Sequence, residues 1–148
     1  MPRIQRSALV EHSAARMFAL VNDIPAYPRR FDWCESAKVI ESDATHIVAR
    51  LDLGLGAIRT WFTTENTLFP PHHIDMQLRD GPFRKLSGRW HSQVLDESAC
   101  KVTLTLDFEP RSRLLAPAMA LGFQALADRM VEDFVRVADA DPGSDADD

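Results

Sequence analysis

A chain of 148 residues that is 45% apolar and 26% charged has the composition of one globular domain with a filled core. Its net charge of -5 is matched by Asp139, Asp141, Asp145, Asp147 and Asp148 at the C-terminal end, so the body before them is near neutral and carries no global field for holding DNA. No apolar run reaches the ~18 residues of a membrane span, and Cys34 and Cys100 form neither a C-x-x-C pair nor a disulfide framework.

The first residues lead into a strand pattern at 4–10 and not into an apolar signal segment, which predicts a cytoplasmic protein. Ser13 is placed to cap a helix whose apolar stripe is Ala14, Met17, Phe18 and Val21 beside Leu20. Asn22 and Asp23 interrupt it. A second short helix begins at Ile24, and Pro28 limits its length.

From Trp33 the period changes to two. Ala37 and Val39 share a face. Residues 47–55 alternate as a half-buried strand, and 54–57 predict a hairpin connection or bulge. In the strand at 58–68, Ile58, Thr60 and Phe62 are expected inward, with Arg59, Trp61, Thr63 and Glu65 outward. Pro70-Pro71 stops that strand, a short one follows at 73–78, and 79–82 turn the chain. At 86–95, Leu86, Gly88, Trp90 and Val94 share one face. The last strand sets Cys100, Val102, Leu104, Leu106 and Phe108 against polar neighbours.

A long helix is predicted over 113–138. Leu115, Met119, Phe123, Leu126, Met130, Phe134 and Val137 fall in steps of three and four, and so on one face. Gln124, Asp128, Arg129, Glu132, Asp133 and Arg136 occupy the other face of its second half. The first half is apolar nearly all round, through Leu114, Ala116, Ala118, Ala120, Leu121 and Ala125, which predicts cover on every side. Ser112 is the expected cap, and Pro117 predicts a kink or a late start. The polar stretch 141–148 predicts a disordered acidic tail after a single ligand-binding domain spanning 1–140.

One strand, two short helices, six strands and a long helix describe an α+β fold. The economical arrangement is a seven-stranded curved antiparallel sheet wrapped around the long C-terminal helix. Such a grip predicts a cavity of about 300–1,000 Å³ between sheet and helix, opening near the short helices. No nucleophile motif, phosphate loop or zinc pair is present, and His72 and His73 point opposite ways. A catalytic residue, a metal and a required cofactor are therefore not expected, and the chain reads as no enzyme. Arg3, Arg6, Arg16, Arg29 and Arg30 make the N-terminal part locally basic. Phe31, Trp33, Phe62, Phe83 and Trp90 cluster at strand starts and loops near the predicted mouth, and Met119, Phe123, Leu126 and Met130 face the sheet. These nine, with Tyr27, are the candidate ligand-binding residues. Tyr27, Ser87 or Arg89 would meet a polar head group.

Two segments carry a family resemblance: Tyr27-Pro28, Phe31 and Trp33-Cys34 within 20–34, and Gly81-Pro82-Phe83, Leu86, Gly88 and Trp90 within 80–90. Together with the element order they resemble the coenzyme Q-binding protein family, which shares sequence with bacterial ribosome-association toxins. Both lie in the START-like, polyketide cyclase/dehydrase-like helix-grip superfamily. The chain departs from the pattern at Asp32, where proline is usual, and at His91, where an aromatic is more usual nearby. The resemblance implies binding of ubiquinone or a related isoprenoid lipid in the central cavity, in support of quinone function in respiration, with at most peripheral contact at the inner membrane. It implies no catalytic residue. An alternative is a toxin that acts on the large ribosomal subunit and blocks subunit joining, supported among the residues by the basic N-terminal part. A weaker alternative is a polyketide cyclase-like enzyme using the same cavity.

Overall fold

Residues 3–55 and 58–140 are described by the computed structural model. In chain order the elements are β1 (Arg3–Val10), α1 (Ala14–Asn22), a single 3-10 turn (Ile24–Ala26), α2 (Tyr27–Arg30), β2 (Cys34–Ser42), β3 (His46–Leu55), β4 (Ile58–Phe69), β5 (His73–Asp80), β6 (Phe83–Asp96), β7 (Ala99–Pro110) and α3 (Ala116–Ala140). The seven strands form one curled antiparallel sheet in the order β1-β7-β6-β5-β4-β3-β2. The last six are a meander, and β1 returns beside β7, from Arg3 opposite Asp107 to Val10 opposite Cys100. The short helices carry the chain from the β1 edge to the β2 edge, and α3 lies across the inner face.

Local chemistry sets the boundaries. Ser13 Oγ accepts the Arg16 N–H at 3.0 Å and starts α1. Asp43 Oδ1 accepts the N–H groups of Thr45 and His46, closing the β2–β3 turn, and Asp96 Oδ1 accepts that of Ser98 in the β6–β7 turn. Gly81 has φ +145° and its Cα side lies against the Trp61 carbonyl and Phe62, so a side chain there would be both strained and crowded. The hairpin connection expected at 54–57 has its tip, 56–57, outside the described residues, as is the acidic tail expected at 141–148.

The core is the inner face of the sheet against one face of α3. Val102, Leu104, Leu106 and Phe108 alternate inward from β7, joined by Leu86 and Trp90 from β6 and Ile74 from β5. Met119, Phe123, Leu126, Ala127, Val131, Phe134 and Ala138 are the buried residues of α3. Trp61 points outward, with the Arg50 guanidinium 4.2 Å above its ring.

Four expectations are corrected. The first half of α3 is not covered all round: Leu114 is 89%, Leu115 48% and Leu121 69% exposed, because the sheet meets the helix on one side only. Leu115 therefore leaves the core face, whose first member is Met119. Val94 is 52% exposed, since residues 93–98 of the β6–β7 hairpin tip stand in solvent, and Ser92 takes the last inward position. The basic N-terminal part is not one surface either. Arg3 pairs with Asp107, Arg6 with Asp128 and Arg30 with Asp23, while Arg16 is buried. The fourth is the size of the cavity, taken up below. Pro117 is the second residue of α3, where a missing donor costs nothing, so the helix starts late and does not kink there. Ser112 Oγ accepts the Leu115 N–H at 3.3 Å just before it.

Candidate functional site: an apolar cavity under the long helix

The strand residues that point inward but fall short of α3 leave a cavity of about 70 Å³. That is far below the predicted range. A cavity of about 150 Å³ takes up benzene, so this one holds less than a ring as it stands. The reason is aromatic filling. Phe31 stacks on Trp33 with ring centres 4.8 Å apart, and Phe134 meets Tyr27, Phe31 and Trp90 edge-on at 5.7, 4.9 and 5.4 Å. This cluster occupies the end near the short helices, where the sequence places a mouth. At the other end Phe123 packs on Phe83 at 5.7 Å and on Phe108 at 4.6 Å.

Of the ten candidate residues, Tyr27, Trp33, Phe62, Trp90, Phe123, Leu126 and Met130 line the cavity. Phe31, Phe83 and Met119 do not. They are buried behind the wall, Phe31 against Trp33 and Phe83 against Phe62 and Phe123. The sequence does not single out the strand floor, which is built from Ala49, Leu51 and Leu53 of β3, Thr64 and Asn66 of β4, Ile74 and Met76 of β5, and Leu104 and Leu106 of β7. A signal for it existed, because Thr64 and Asn66 share the parity of Phe62 on one strand. Met76 and Met130 are the flexible parts of the wall, able to make room for a larger molecule. Gly88 keeps the floor low: a Cβ there would stand 2.9 Å from Met76 Cε and 3.0 Å from Leu106 Cδ2.

The polar groups at the wall are few. Thr64 Oγ1 donates to Asn66 Oδ1 at 2.9 Å, and Ser87, two strands away on β6, is half-buried at the wall. The Trp90 Nε1–H is buried without a partner among the described residues. Two of the three head-group candidates are committed elsewhere. The Tyr27 hydroxyl donates to the Val21 carbonyl, and burial pushes its ionisation far up. Arg89 points out of the sheet and holds Asp75 at 2.6 and 3.1 Å. Trp33 Nε1 donates to Asp133 at 3.0 Å, tying the β2 entrance to α3.

No carboxylate, histidine, lysine or arginine lines the cavity among the described residues. Burial, with Asp52 and Glu35 adding, pushes the Cys34 thiol up to about 11, and burial raises Cys100 too. Neither is a nucleophile near neutral pH. Burial holds His73 below the ordinary histidine value, and its ring stacks on Phe69 at 4.3 Å. No group of three metal-ligating side chains occurs among the described residues.

A family model described as polyketide cyclase / dehydrase and lipid transport matches residues 10–135. The chain belongs to that family. Within it, the chain is 44% identical over 138 residues to a protein of Vibrio cholerae (strain N16961) named ribosome association toxin RatA, covering 93% of this chain and 96% of that one. It is 40% identical to the protein of the same name from Escherichia coli K12, covering 90% and 85%. Among solved structures, the Zhui aromatase/cyclase from Streptomyces sp. R1128 superposes with a TM-score of 0.80 at 19% identity, covering 95% and 94% of the two chains. A START superfamily protein from Mycobacterium smegmatis does so with 0.79 at 17%, covering 93% and 97%. At those identities the likeness to the solved structures is one of fold.

Proposed function

We propose that this protein acts on the ribosome, with which the names of its relatives associate them, and that it does so without catalysing a reaction. The observation that carries this is the 44% identity across 93% of the chain and 96% of a ribosome association toxin. The target is the large subunit, the consequence is blocked subunit joining, and the place of action is the cytoplasm. Among the described residues the cavity wall holds no carboxylate, histidine, lysine or arginine, and its one tyrosine, Tyr27, has its hydroxyl bound to the Val21 carbonyl and its ionisation raised by burial. This supports a binding role and weighs against a cyclase-type reaction, which needs a proton donor or acceptor there. In the test, purified full-length protein is added to separated 30S and 50S subunits and the mixture is run on a sucrose gradient. The 70S peak is expected to fall with increasing protein; an unchanged peak removes this reading.

The cavity favours a second reading, compatible with the first. Its wall is almost wholly apolar, and two methionines can move aside. It would hold the ring of a quinone such as ubiquinone, or another isoprenoid lipid, with about 0.8 kcal/mol gained per CH₂ buried. Solvent extraction of the purified protein followed by mass spectrometry is expected to release such a molecule. A protein that comes out empty and also ignores added quinone rules it out.

A further inference from the structure

We propose that the exposed outer face of the first half of α3 is a docking surface for an anionic lipid bilayer. The surface is built from Leu114 and Leu115, which lead into the helix, and from Ala118, Leu121 and Ala125, which recur about once per turn on its outer side. Leu114 and Leu121 are the two most exposed large apolar residues in this part of the chain, at 89% and 69%. Leucines so placed have no cover among the described residues, although the helix buries Met119, Phe123 and Leu126 on its opposite side.

Charge decides the occupant. Residues 110–127 contain no aspartate or glutamate, and their charges are Arg111 and Arg113. Arg113 is exposed, and Arg84 stands exposed on β6 next to Phe83, the residue paired with Pro110. Leucines flanked by arginines match a bilayer whose head groups are negative and whose interior is apolar. Further along the same helix the exposed charges are of both signs, with Glu132 near Arg129 and Asp128 paired to Arg6, so the uncompensated basic character ends with the first half. Contact is thereby confined to the first half. A stable protein partner would need about 800 Å² of surface on each side, more than three leucines and two alanines present. Insertion of a few leucines into a bilayer needs no such area. Phe123 and Leu126, on the other side of the same turns, line the cavity. The bilayer would lie about one helix diameter, ~10 Å, from it.

This surface depends on neither the ribosome reading nor the ligand reading, and its test uses neither. Full-length protein is floated through a density gradient with vesicles of pure phosphatidylglycerol or pure phosphatidylcholine, free of quinone. Wild-type protein is expected to float with phosphatidylglycerol, more weakly with phosphatidylcholine, and less as salt is raised. Leu114→Ser/Leu121→Ser is expected to lower partitioning about tenfold or more, and Arg113→Gln about fivefold. Circular dichroism of both variants verifies that they are folded, which their exposure favours. The proposal is overturned if wild type stays at the bottom with phosphatidylglycerol, or if the leucine variant floats as well as wild type. It is equally overturned if the leucine variant floats normally and instead converts a dimer to monomer or abolishes pelleting with ribosomes, which would assign the face to a protein or ribosomal partner.

Discussion

His73 illustrates what burial does to a single side chain here. Stacked on Phe69 and 6.3 Å from the His91 ring, it is desolvated, and the neighbouring Arg89, His91 and His72 add to the effect against Asp75. Its folded pKa therefore lies below the unfolded value of 6.5. Above 6.5 both states are neutral and its contribution to stability is complete. As pH falls through 6.5 the unfolded chain takes up the proton first, and stability is lost until the folded ring also titrates. Thermal unfolding followed between pH 7 and pH 5 should show the wild-type midpoint dropping more than that of His73→Gln; parallel curves would contradict this. The sequence marks His73 only as one of two adjacent histidines. Neither its place opposite Phe69 nor the approach of His91 could be read from the histidine pair, because both depend on the register that the turns at 70–72 and 81–82 impose on their two hairpins.

At the scale of the element, α3 carries two opposite faces within the same turns. Phe123 is buried against Phe83 and Phe108, and truncation to alanine should cost about 3–5 kcal/mol through lost burial and the space left behind. Leu121, two positions away and 69% exposed, should tolerate serine with a change within about 0.5 kcal/mol. Urea denaturation of the two variants checks both, and comparable losses would mean that the outer face is covered after all. The helical spacing of Met119, Phe123, Leu126, Met130 and Phe134 is enough to place the inner face, since 3.6 residues per turn leaves little choice. The outer face is different. Ala and Leu are indifferent to which side is covered, so composition could not say where the sheet would stop.

For the molecule as a whole, the cavity and the surface can be separated by filling the first. Ala49 is buried on the β3 floor of the cavity. Ala49→Leu places three more carbons in a space of about 70 Å³, with a stability cost of about 1 kcal/mol. The variant should lose any co-purified apolar molecule while its effect on the 70S peak stays that of wild type. Simultaneous loss of both would join the cavity to the ribosomal action.

Alternation by two, helical spacing and turn residues determined the element order, the single antiparallel sheet and the inward set from Phe62 and Trp90 to Phe134, because each of these follows from backbone periodicity within one segment. The motifs around Tyr27-Pro28 and Gly81-Pro82-Phe83 were enough to point to the family to which the chain belongs. Only the tertiary structure decided how much room is left. Whether Phe31, Trp33 and Phe134 surround a void or fill it depends on how tightly the sheet curls about α3, a sum of packing contacts between residues a hundred positions apart. The same curl decided that Leu114 and Leu121 face away from the core, since the sheet reaches only one side of the helix.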